Sequence, residues 1–350
     1  NQLLRKVRGG LGVATVAANA AFAAITGVSI ASASVFTRVA VPEMMRFGYT
    51  PRFAVGVVAG SSVLGMLIPP SVMLIIYAII TEQSVAALFK AGIIPGILLA
   101  IAYIVAIVVM ATFFKKYVGG QSKADIEAAA LETFSGMELL GKTAPLVILI
   151  LLVLGGIYGG VFTPTEAGAV GALGALVVAA LKRALDRKTL WNILVEAGHI
   201  VASILMLIVA ATMYSRMLGI SGLPNELGDW IAGANLGLYG ILTIYVIVLI
   251  ILGTILDTTS IILIMVPLFL PVVAPYGVDL VWFGIVTIVG AEIGLLTPPL
   301  GISCYVIKST LHDERISLYD VFAGAFPFAV IMLLVLILLI AFPQLSLVLV

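Results

Sequence analysis

The segment GMLIPPS, Gly65–Ser71, decides the fold because it places two consecutive prolines inside an apolar run long enough to cross a bilayer. A related segment, GLLTPPL at Gly294–Leu300, occurs near the end of the chain. Proline has no backbone N–H and its ring clashes with the preceding turn, so each Pro-Pro pair is expected to split its run into two half-helices. Hydrocarbon cannot hydrogen-bond to the backbone groups left free. Each break must therefore be buried in protein or line a wet cavity, which makes it a candidate binding site.

Composition predicts the class of protein. The chain has 62% hydrophobic and 10% charged residues, which is typical of an integral membrane protein. Its apolar runs are continuous rather than alternating, so they predict an α-helical bundle and not a β-barrel. The net charge of +1 gives no indication of nucleic-acid binding, and the single cysteine, Cys304, excludes an internal disulfide. The sequence contains no HExxH, Gly-x-Ser-x-Gly or phosphate-loop motif, so neither an enzyme nor an ATP-driven pump is predicted.

Two parts of the chain, 1–52 and 239–280, are interpreted as re-entrant helical hairpins. Each contains a pair of short apolar segments, and runs of about 10–14 apolar residues are too short to span a bilayer. Each pair surrounds a turn rich in small or hydroxyl-bearing residues, TGVSIASAS at Thr26–Ser34 and GTILDTTS at Gly253–Ser260. We call these turns the first tip and the second tip.

The two tips are themselves related. When the first is slid along the chain until Gly27 lies on Gly253, Ser32 falls on Thr258. The match predicts that the two hairpins are copies of one element.

The remaining segments complete two related halves. An odd number of predicted crossings separates the hairpins, so they enter from opposite faces and the halves form inverted repeats. Because helices precede the second half and not the first, we expect further helices before Asn1. The segments are a broken helix with the following crossing at 53–114, a cytoplasmic connector at 115–142, scaffold helices with an interfacial helix at 143–238, and the second broken helix with the final crossing at 281–350.

The distribution of basic residues sets the orientation. If the start of the chain is cytoplasmic, nearly all Lys and Arg lie on the cytoplasmic side, as the positive-inside rule requires. Only Lys90 and Arg216 fall on the outer side, and Arg38 lies within the first hairpin. The predicted fold is an all-α polytopic membrane protein of inverted repeats, each with a re-entrant hairpin and a Pro-Pro-broken helix.

A cavity in which tips and breaks meet near the membrane midplane is suited to bind an anion together with sodium ions. Half-helix N-termini carry the positive ends of helix dipoles, and free carbonyls carry the negative ends. Close helix packing by small residues is the alternative explanation of the tips. The tip residues with suitable oxygens or small side chains are Thr26, Gly27, Ser29, Ser32, Gly253, Asp257, Thr258 and Thr259.

Two acidic residues are predicted to lie within the membrane. A charge there costs at least ~2.5–3.5 kcal/mol and usually marks an ion path or a paired partner. Asp257 is either a cation ligand or a structural hydrogen-bond acceptor, and Glu292 faces either the cavity or a packing partner. A third acid, Glu166, follows Pro164 and is expected to cap the helix that begins there. Candidate substrate-binding residues near the breaks are Ser61, Ser62, Glu292 and Ser303.

Six motifs resemble, in order, those of the large membrane subunit of tripartite ATP-independent periplasmic (TRAP) transporters. They cover nearly the whole chain: RGGLGVATVAANAAFAAITG, VPEMMRFGYTPRFAVGVVAGSSVLGMLIPPS, LFKAGIIPG, GGVFTPTEAGAVGA, LDTTSIILIMVPLFLPV and IGLLTPPLGIS.

The resemblance implies a multi-pass secondary transporter of the bacterial inner membrane with no cofactor other than sodium as coupling ion. Such a transporter takes an organic acid, for example a C4-dicarboxylate, from a periplasmic binding protein and imports it with sodium. A small four-helix membrane subunit, a longer N-terminus and an elevator-type motion are also implied.

The resemblance also implies which residues hold sodium. The matching positions in the first half are Ser29, Ser32, Gly65, Ile68 and Pro70, and those in the second are Gly253, Thr258, Gly294, Thr297 and Pro299. The chain departs from the family pattern at Gly290 and Ser303, where asparagine is common, so the substrate stays open.

Two other functions agree with the same segments. A stand-alone sodium/dicarboxylate symporter would have a related architecture without a binding protein. An ion channel can also be built on opposed re-entrant loops.

The predicted orientation places Gln83 on the periplasmic side and Gly120 in the cytoplasm. In a Cys304→Ala background, Gln83→Cys should react with a membrane-impermeant maleimide added to intact spheroplasts, while Gly120→Cys should react only in inverted membranes. Labelling with the two sides exchanged would show that the orientation is wrong.

Overall fold

The computed structural model describes residues 9–119, 136–233, 236–311 and 313–350. These ranges form helices and no β-strand, apart from one isolated backbone bridge between Tyr49 and Gly119. The all-α polytopic fold class is thereby confirmed. The predicted connector, 115–142, lies largely outside the described residues.

The first half of the chain forms seven described helices. A two-residue turn, Gly27–Val28, joins the first two, and the Pro-Pro break separates the fourth from the fifth. The helices are α1 (Gly10–Thr26), α2 (Ser29–Arg46), α3 (Pro51–Ser62), α4 (Leu64–Leu67), α5 (Val72–Thr81), α6 (Val85–Phe113) and α7 (Lys115–Val118).

The remainder of the described chain repeats this order after four intervening helices. These four are α8 (Gly136–Tyr158), α9 (Pro164–Leu181), α10 (Arg187–Ser221) and α11 (Leu223–Gly233). The repeat then consists of α12 (Gly237–Gly253), α13 (Thr258–Val273) with a 3₁₀ turn at Ala274–Tyr276, α14 (Leu280–Leu295), α15 (Ile302–Leu311), α16 (Leu318–Ala341) and the short α17 (Gln344–Leu347).

Five of the described helices are long and apolar enough to cross a membrane. They are α6, α9, α10, α13 with its 3₁₀ turn, and α16. The pair α3–α4 and α5, bent by 41° at its break, adds a sixth candidate span if it is counted as one. Helix α13 was predicted as the returning arm of a hairpin, and its length and composition also allow it to span.

Local residues determine where the half-helices begin. Ser71 caps α5 by accepting a hydrogen bond from the Leu74 N–H at 3.4 Å, directly after the Pro69-Pro70 pair. Thr163 and Glu166 form a reciprocal capping box at the start of α9, so the predicted capping role of Glu166 is confirmed. Asp279 caps α14 by accepting hydrogen bonds from the backbone N–H groups of Val281 and Trp282.

The helices divide into two compact units, each considered by itself. One contains α1–α7 and α11–α17, and therefore both hairpins and both breaks. The other contains α8–α10, which leave many large apolar side chains exposed, for example Leu205 and Val209 on α10. Such surfaces suit contact with lipid or with another protein.

The most extensive packing in the first of these units joins α3 to α16. Gly56 and Gly324 let the two backbones touch, because a Cβ at Gly56 would overlap the carbonyl of Gly324. One turn further on, Gly60 lies against the ring of Phe328. This contact ties the first broken helix to the last crossing of the second repeat.

Replacing Gly56 with valine should separate α3 from α16. Overpacking costs about 1–3 kcal/mol and more where backbone opposes it, so the midpoint of thermal unfolding in detergent should fall clearly. Gly168→Val on α9 is the matched control, because no atom lies within 4 Å of its Cβ position. Equal midpoints for the two variants would show that the α3–α16 contact contributes little to stability.

Candidate functional site

The first tip lies directly against the first break. Gly27 has a left-handed backbone with φ of +59°, and its carbonyl accepts a hydrogen bond from the Val72 N–H at 3.3 Å. A Cβ at Gly27 would lie 2.7 Å from the carbonyl oxygen of Pro70. Both the backbone angle and this contact require glycine. The tip therefore supplies a partner to a backbone that the prolines leave incomplete.

The second tip meets the second break in a related way. The Gly301 N–H donates to the carbonyl of Thr254 at 3.0 Å. Gly253 also lies against Gly294, since a Cβ on Gly253 would be 2.9 Å from the Gly294 Cα. Two of the predicted ligand positions of this half, Gly253 and Gly294, are thus brought together through backbone contact.

The structure changes the predicted pairing of tip hydroxyls. Helix α2 begins at Ser29 and α13 begins at Thr258, so Ser29, and not Ser32, occupies the position equivalent to Thr258. The sequence match missed this because the first tip has two residues between its helices and the second has four, Thr254–Asp257.

The first tip carries two buried hydroxyls that lack hydrogen-bond partners within the described part of the chain. These belong to Ser29 and Ser32, both fully buried. No side chain caps the start of α2, because its N-cap residue is Val28. Thr26, by contrast, bonds to the carbonyl of Phe22 in its own helix at 3.2 Å. Two hydroxyl oxygens without a described hydrogen-bond partner therefore lie in the first turn of α2. Gly65 is close to this turn, because its Cβ position lies 3.3 Å from the Val28 carbonyl carbon.

Asp257 is occupied as a helix cap. Its carboxylate accepts hydrogen bonds from the backbone N–H groups of Thr259 and Ser260, at 2.9 and 3.3 Å, and from the Ser260 hydroxyl. Of the two roles considered for Asp257, the structure shows the structural acceptor. The neighbouring Thr259 hydroxyl contacts the sulfur of Met73 on α5, at 3.6 Å.

Glu292 lies between the two repeats. Its side chain is buried, with 1% of the residue exposed, and Oε1 accepts a hydrogen bond from the Thr258 hydroxyl at 2.6 Å. Ser29 of the first tip also interacts electrostatically with this carboxylate, although the two do not form a hydrogen bond of ordinary geometry. Oε2 has no hydrogen-bond partner among the described residues. Glu292 thus interacts with the first residue of the second arm of each hairpin.

The remaining predicted sodium ligands differ between the two breaks. Ile68 and Pro70 are partly buried, and Pro70 directs its carbonyl at the first tip. Thr297 bonds back to the carbonyl of Ile293 at 2.7 Å, and Pro299 is exposed. The second break borders an apolar pocket of about 790 Å³ that includes Phe322. Pro299 is therefore exposed, unlike the buried predicted sodium ligands Gly253, Thr258 and Gly294.

The substrate candidates near the first break form a hydrogen-bonded chain with a residue that sequence reasoning missed. Asn19 of α1 is fully buried and donates from Nδ2 to the Ser61 hydroxyl at 2.7 Å, while its Oδ1 is without a partner in the described ranges. Ser61 donates in turn to the carbonyl of Val57. An amide inside the apolar run AANAAF was the available signal, because a polar residue within the membrane usually has a specific partner.

The two other serine candidates differ in their hydrogen bonding, and two arginines lie outside the buried cluster of tip residues. Ser62 bonds to the carbonyl of Ala59 at 2.8 Å, whereas the buried Ser303 hydroxyl has no partner within the described segments. Arg52 forms an ion pair with Asp320 at 2.7 Å. Arg38 is exposed. Neither arginine therefore lies in the buried cluster of tip residues.

Paired hairpins, paired broken helices and a buried polar cluster define a polytopic α-helical membrane transport protein. The family model described as Tripartite ATP-independent periplasmic transporter, DctM component, matches residues 1–345. The chain belongs to this family and is a large membrane subunit of a TRAP transporter in the bacterial inner membrane, which confirms the resemblance seen in the sequence.

Individual relatives agree with this assignment. The chain is similar to the C4-dicarboxylate TRAP transporter large permease protein DctM of Pseudomonas aeruginosa, with 33% identity over 99% of this chain and 79% of the relative. It is also similar to the sialic acid TRAP transporter large permease protein SiaM of Vibrio cholerae, with 32% identity over 99% of this chain and 79% of the relative. The isethionate TRAP transporter permease protein DctMQ of Oleidesulfovibrio alaskensis is 31% identical over 90% of this chain and 48% of the relative. These relatives are transporter permeases and not enzymes.

The contact of the first tip with its break can be tested at Gly27. Gly27→Ala adds a methyl group against the Pro70 carbonyl in a left-handed backbone, so we expect transport activity to fall at least tenfold, the equivalent of about 1.4 kcal/mol. Gly160→Ala is the control, because Gly160 has a φ of +70° and no atom within 4 Å of its Cβ position. Similar losses in both variants would attribute the effect to backbone strain alone.

Proposed function

We propose that this subunit imports a small organic acid by sodium symport, through an elevator-type movement of the unit that carries the hairpins. One observation carries the proposal: each hairpin tip contacts a broken helix, and near the tips lie buried hydroxyl and carboxylate oxygens that have no hydrogen-bond partner in the described part of the chain. An interior held together only by packing would not leave such oxygens unsatisfied, because each costs about 1–3 kcal/mol.

Sodium is a hard cation and prefers oxygen ligands of this kind. The Ser32 hydroxyl and the backbone carbonyls of Gly65–Pro70 make up the proposed site of the first repeat, and the Ser29 hydroxyl lies beside it. Thr258 with Gly253 and Gly294 makes up that of the second, with Thr297 and Pro299 at its exposed edge. Proline has no N–H to compete for the carbonyls of the breaks, which leaves them available to a cation.

The substrate is proposed to be an anion, most simply a carboxylate. Relatives are named for C4-dicarboxylates, for sialic acid and for isethionate. Half-helix N-termini favour negative charge, and hydroxyl and amide groups from both repeats are buried nearby. We assign substrate contact to Ser61, Ser62, Ser303 and Asn19.

Two partners are part of the proposal. The family description names a tripartite periplasmic system, which supports a periplasmic binding protein that delivers the substrate. This chain covers only 48% of the DctMQ relative, so that relative has room for a second membrane component in the same polypeptide. We propose a separate or fused small membrane subunit here, in contact with exposed apolar helices such as α10.

The elevator mechanism is proposed from the division of the helices. Both hairpins and both breaks belong to one compact unit, while α8–α10 form another with many exposed apolar side chains. A mobile unit that carries the site and a separate anchoring unit are the parts that such a mechanism requires.

Uptake by the assembled transporter in proteoliposomes tests the proposal. An inward sodium gradient should drive concentrative uptake only when the binding protein is present. Ser32→Ala and Thr258→Ala each remove one neutral oxygen, worth about 1 kcal/mol, so the sodium concentration for half-maximal uptake should rise roughly fivefold. Thr37→Val is the control, because the Thr37 hydroxyl bonds only to Ala33 of its own helix.

Each alternative has its own outcome in this assay. Equal uptake without the binding protein would indicate a stand-alone symporter, and dissipation of the gradient without accumulation would indicate a channel. Undiminished accumulation after the sodium gradient is collapsed would overturn sodium coupling.

A further inference from the structure

Glu292 is the one charged side chain that is buried among the residues the structure describes. It lies on α14 two residues before Gly294, well inside the apolar sequence LVWFGIVTIVGAEIGL. A carboxylate in such surroundings needs a partner of opposite charge, metal coordination or a bound proton. The described ion pairs involve other acids, namely Glu43, Asp313 and Asp320, so no basic side chain serves Glu292.

Three oxygens around this position lack hydrogen-bond partners within the described segments. They are Glu292 Oε2, the Ser29 hydroxyl and the Tyr103 hydroxyl, and all three side chains are almost completely buried. Ser29 and Tyr103 both interact electrostatically with the Glu292 carboxylate. Two buried hydroxyls from two other helices thus interact with a carboxylate whose second oxygen has no hydrogen-bond partner among the described residues.

Asp257, the other acid predicted to lie within the membrane, has a different environment. Asp257 already accepts three hydrogen bonds as the cap of α13 and is partly exposed. The remaining tip oxygens proposed to hold sodium are neutral. Negative charge for cation binding between the tips is therefore available at Glu292.

We propose that Glu292 Oε2 and the Ser29 hydroxyl hold a sodium ion between the two repeats, separate from the sites formed by each tip with its own break. This inference rests on the proposed sodium symport. The Thr258 hydroxyl donates to Oε1 and so holds the carboxylate with Oε2 directed away from it. The Tyr103 hydroxyl is available as a further neutral oxygen.

The site explains two features that the tip–break pairs leave open. A single ion bound to Ser29 of the first tip, and through Glu292 to Thr258 of the second, stabilises both tips at once and makes their occupancy cooperative. It also neutralises a carboxylate that would otherwise repel an anionic substrate at the same depth. Glu292 then contributes to substrate binding through the cation and not by direct contact.

Sodium binding to the purified full-length transporter complex tests the site without a substrate. Bound ²²Na⁺ should be measured at saturation in a scintillation proximity assay, together with thermal unfolding in sodium chloride or choline chloride. Glu292→Gln keeps the size of the side chain and its bond to Thr258, so the complex should fold and bind one sodium ion fewer per chain. Its sodium-dependent rise in unfolding midpoint should shrink, while Thr37→Val should behave as the unchanged protein.

Ser29→Ala provides the second arm and decides the question if Glu292→Gln does not fold. The Ser29→Ala variant should retain the fold and bind sodium severalfold more weakly. In the double variant with Glu292→Gln, the further loss of sodium affinity should be smaller than the loss that Ser29→Ala causes alone, because both residues bind one ion. Unchanged ²²Na⁺ stoichiometry and affinity in Glu292→Gln would overturn the inference and leave Glu292 as a hydrogen-bonding residue. Absence of sodium binding in the unmodified complex would overturn the proposed symport itself.

Discussion

The structure depends on the fact that a helix cannot be interrupted in hydrocarbon unless protein replaces the missing backbone partners. Each Pro-Pro pair creates such an interruption, and each is met by the tip of a hairpin from its own repeat. Gly27 reaches Val72 through its carbonyl, and Thr254 reaches Gly301 in the same manner. The hairpins are therefore required by the breaks, and the polar groups that remain between them form the site.

The backbone repeats, but the charge does not. Glu292 precedes Gly294 by two residues, and Val63 stands at the same distance before Gly65. Only the second repeat thus places a carboxylate at this position, and Ser29 of the first repeat interacts with it. One carboxylate that interacts with both hairpins couples the two halves more directly than two independent sites would. This coupling is a physical reason for the sequence difference between the two repeats.

Several features were predictable from local sequence, and others were not. Helix bounds followed the apolar runs, and the Thr163–Glu166 capping box followed from residue spacing. Asn19 was missed because a single amide in an apolar helix does not reveal its partner, Ser61, which belongs to another helix. Ser32 was matched to Thr258 where the structure places Ser29, because the two tips differ in length and a sequence shift cannot show which residue begins a helix.

The sequence by itself determined the membrane class, the two breaks, the two tips and the family, because these depend on properties that residues carry with them. Examples are the absent N–H of proline and the length of an apolar run. Only the tertiary structure decided that Asp257 is a helix cap, that Glu292 is shared by both hairpins and that particular hydroxyls are left without partners. The reason is physical: whether a polar group is satisfied depends on which distant segment packs against it, and that packing brings together residues from opposite ends of the chain.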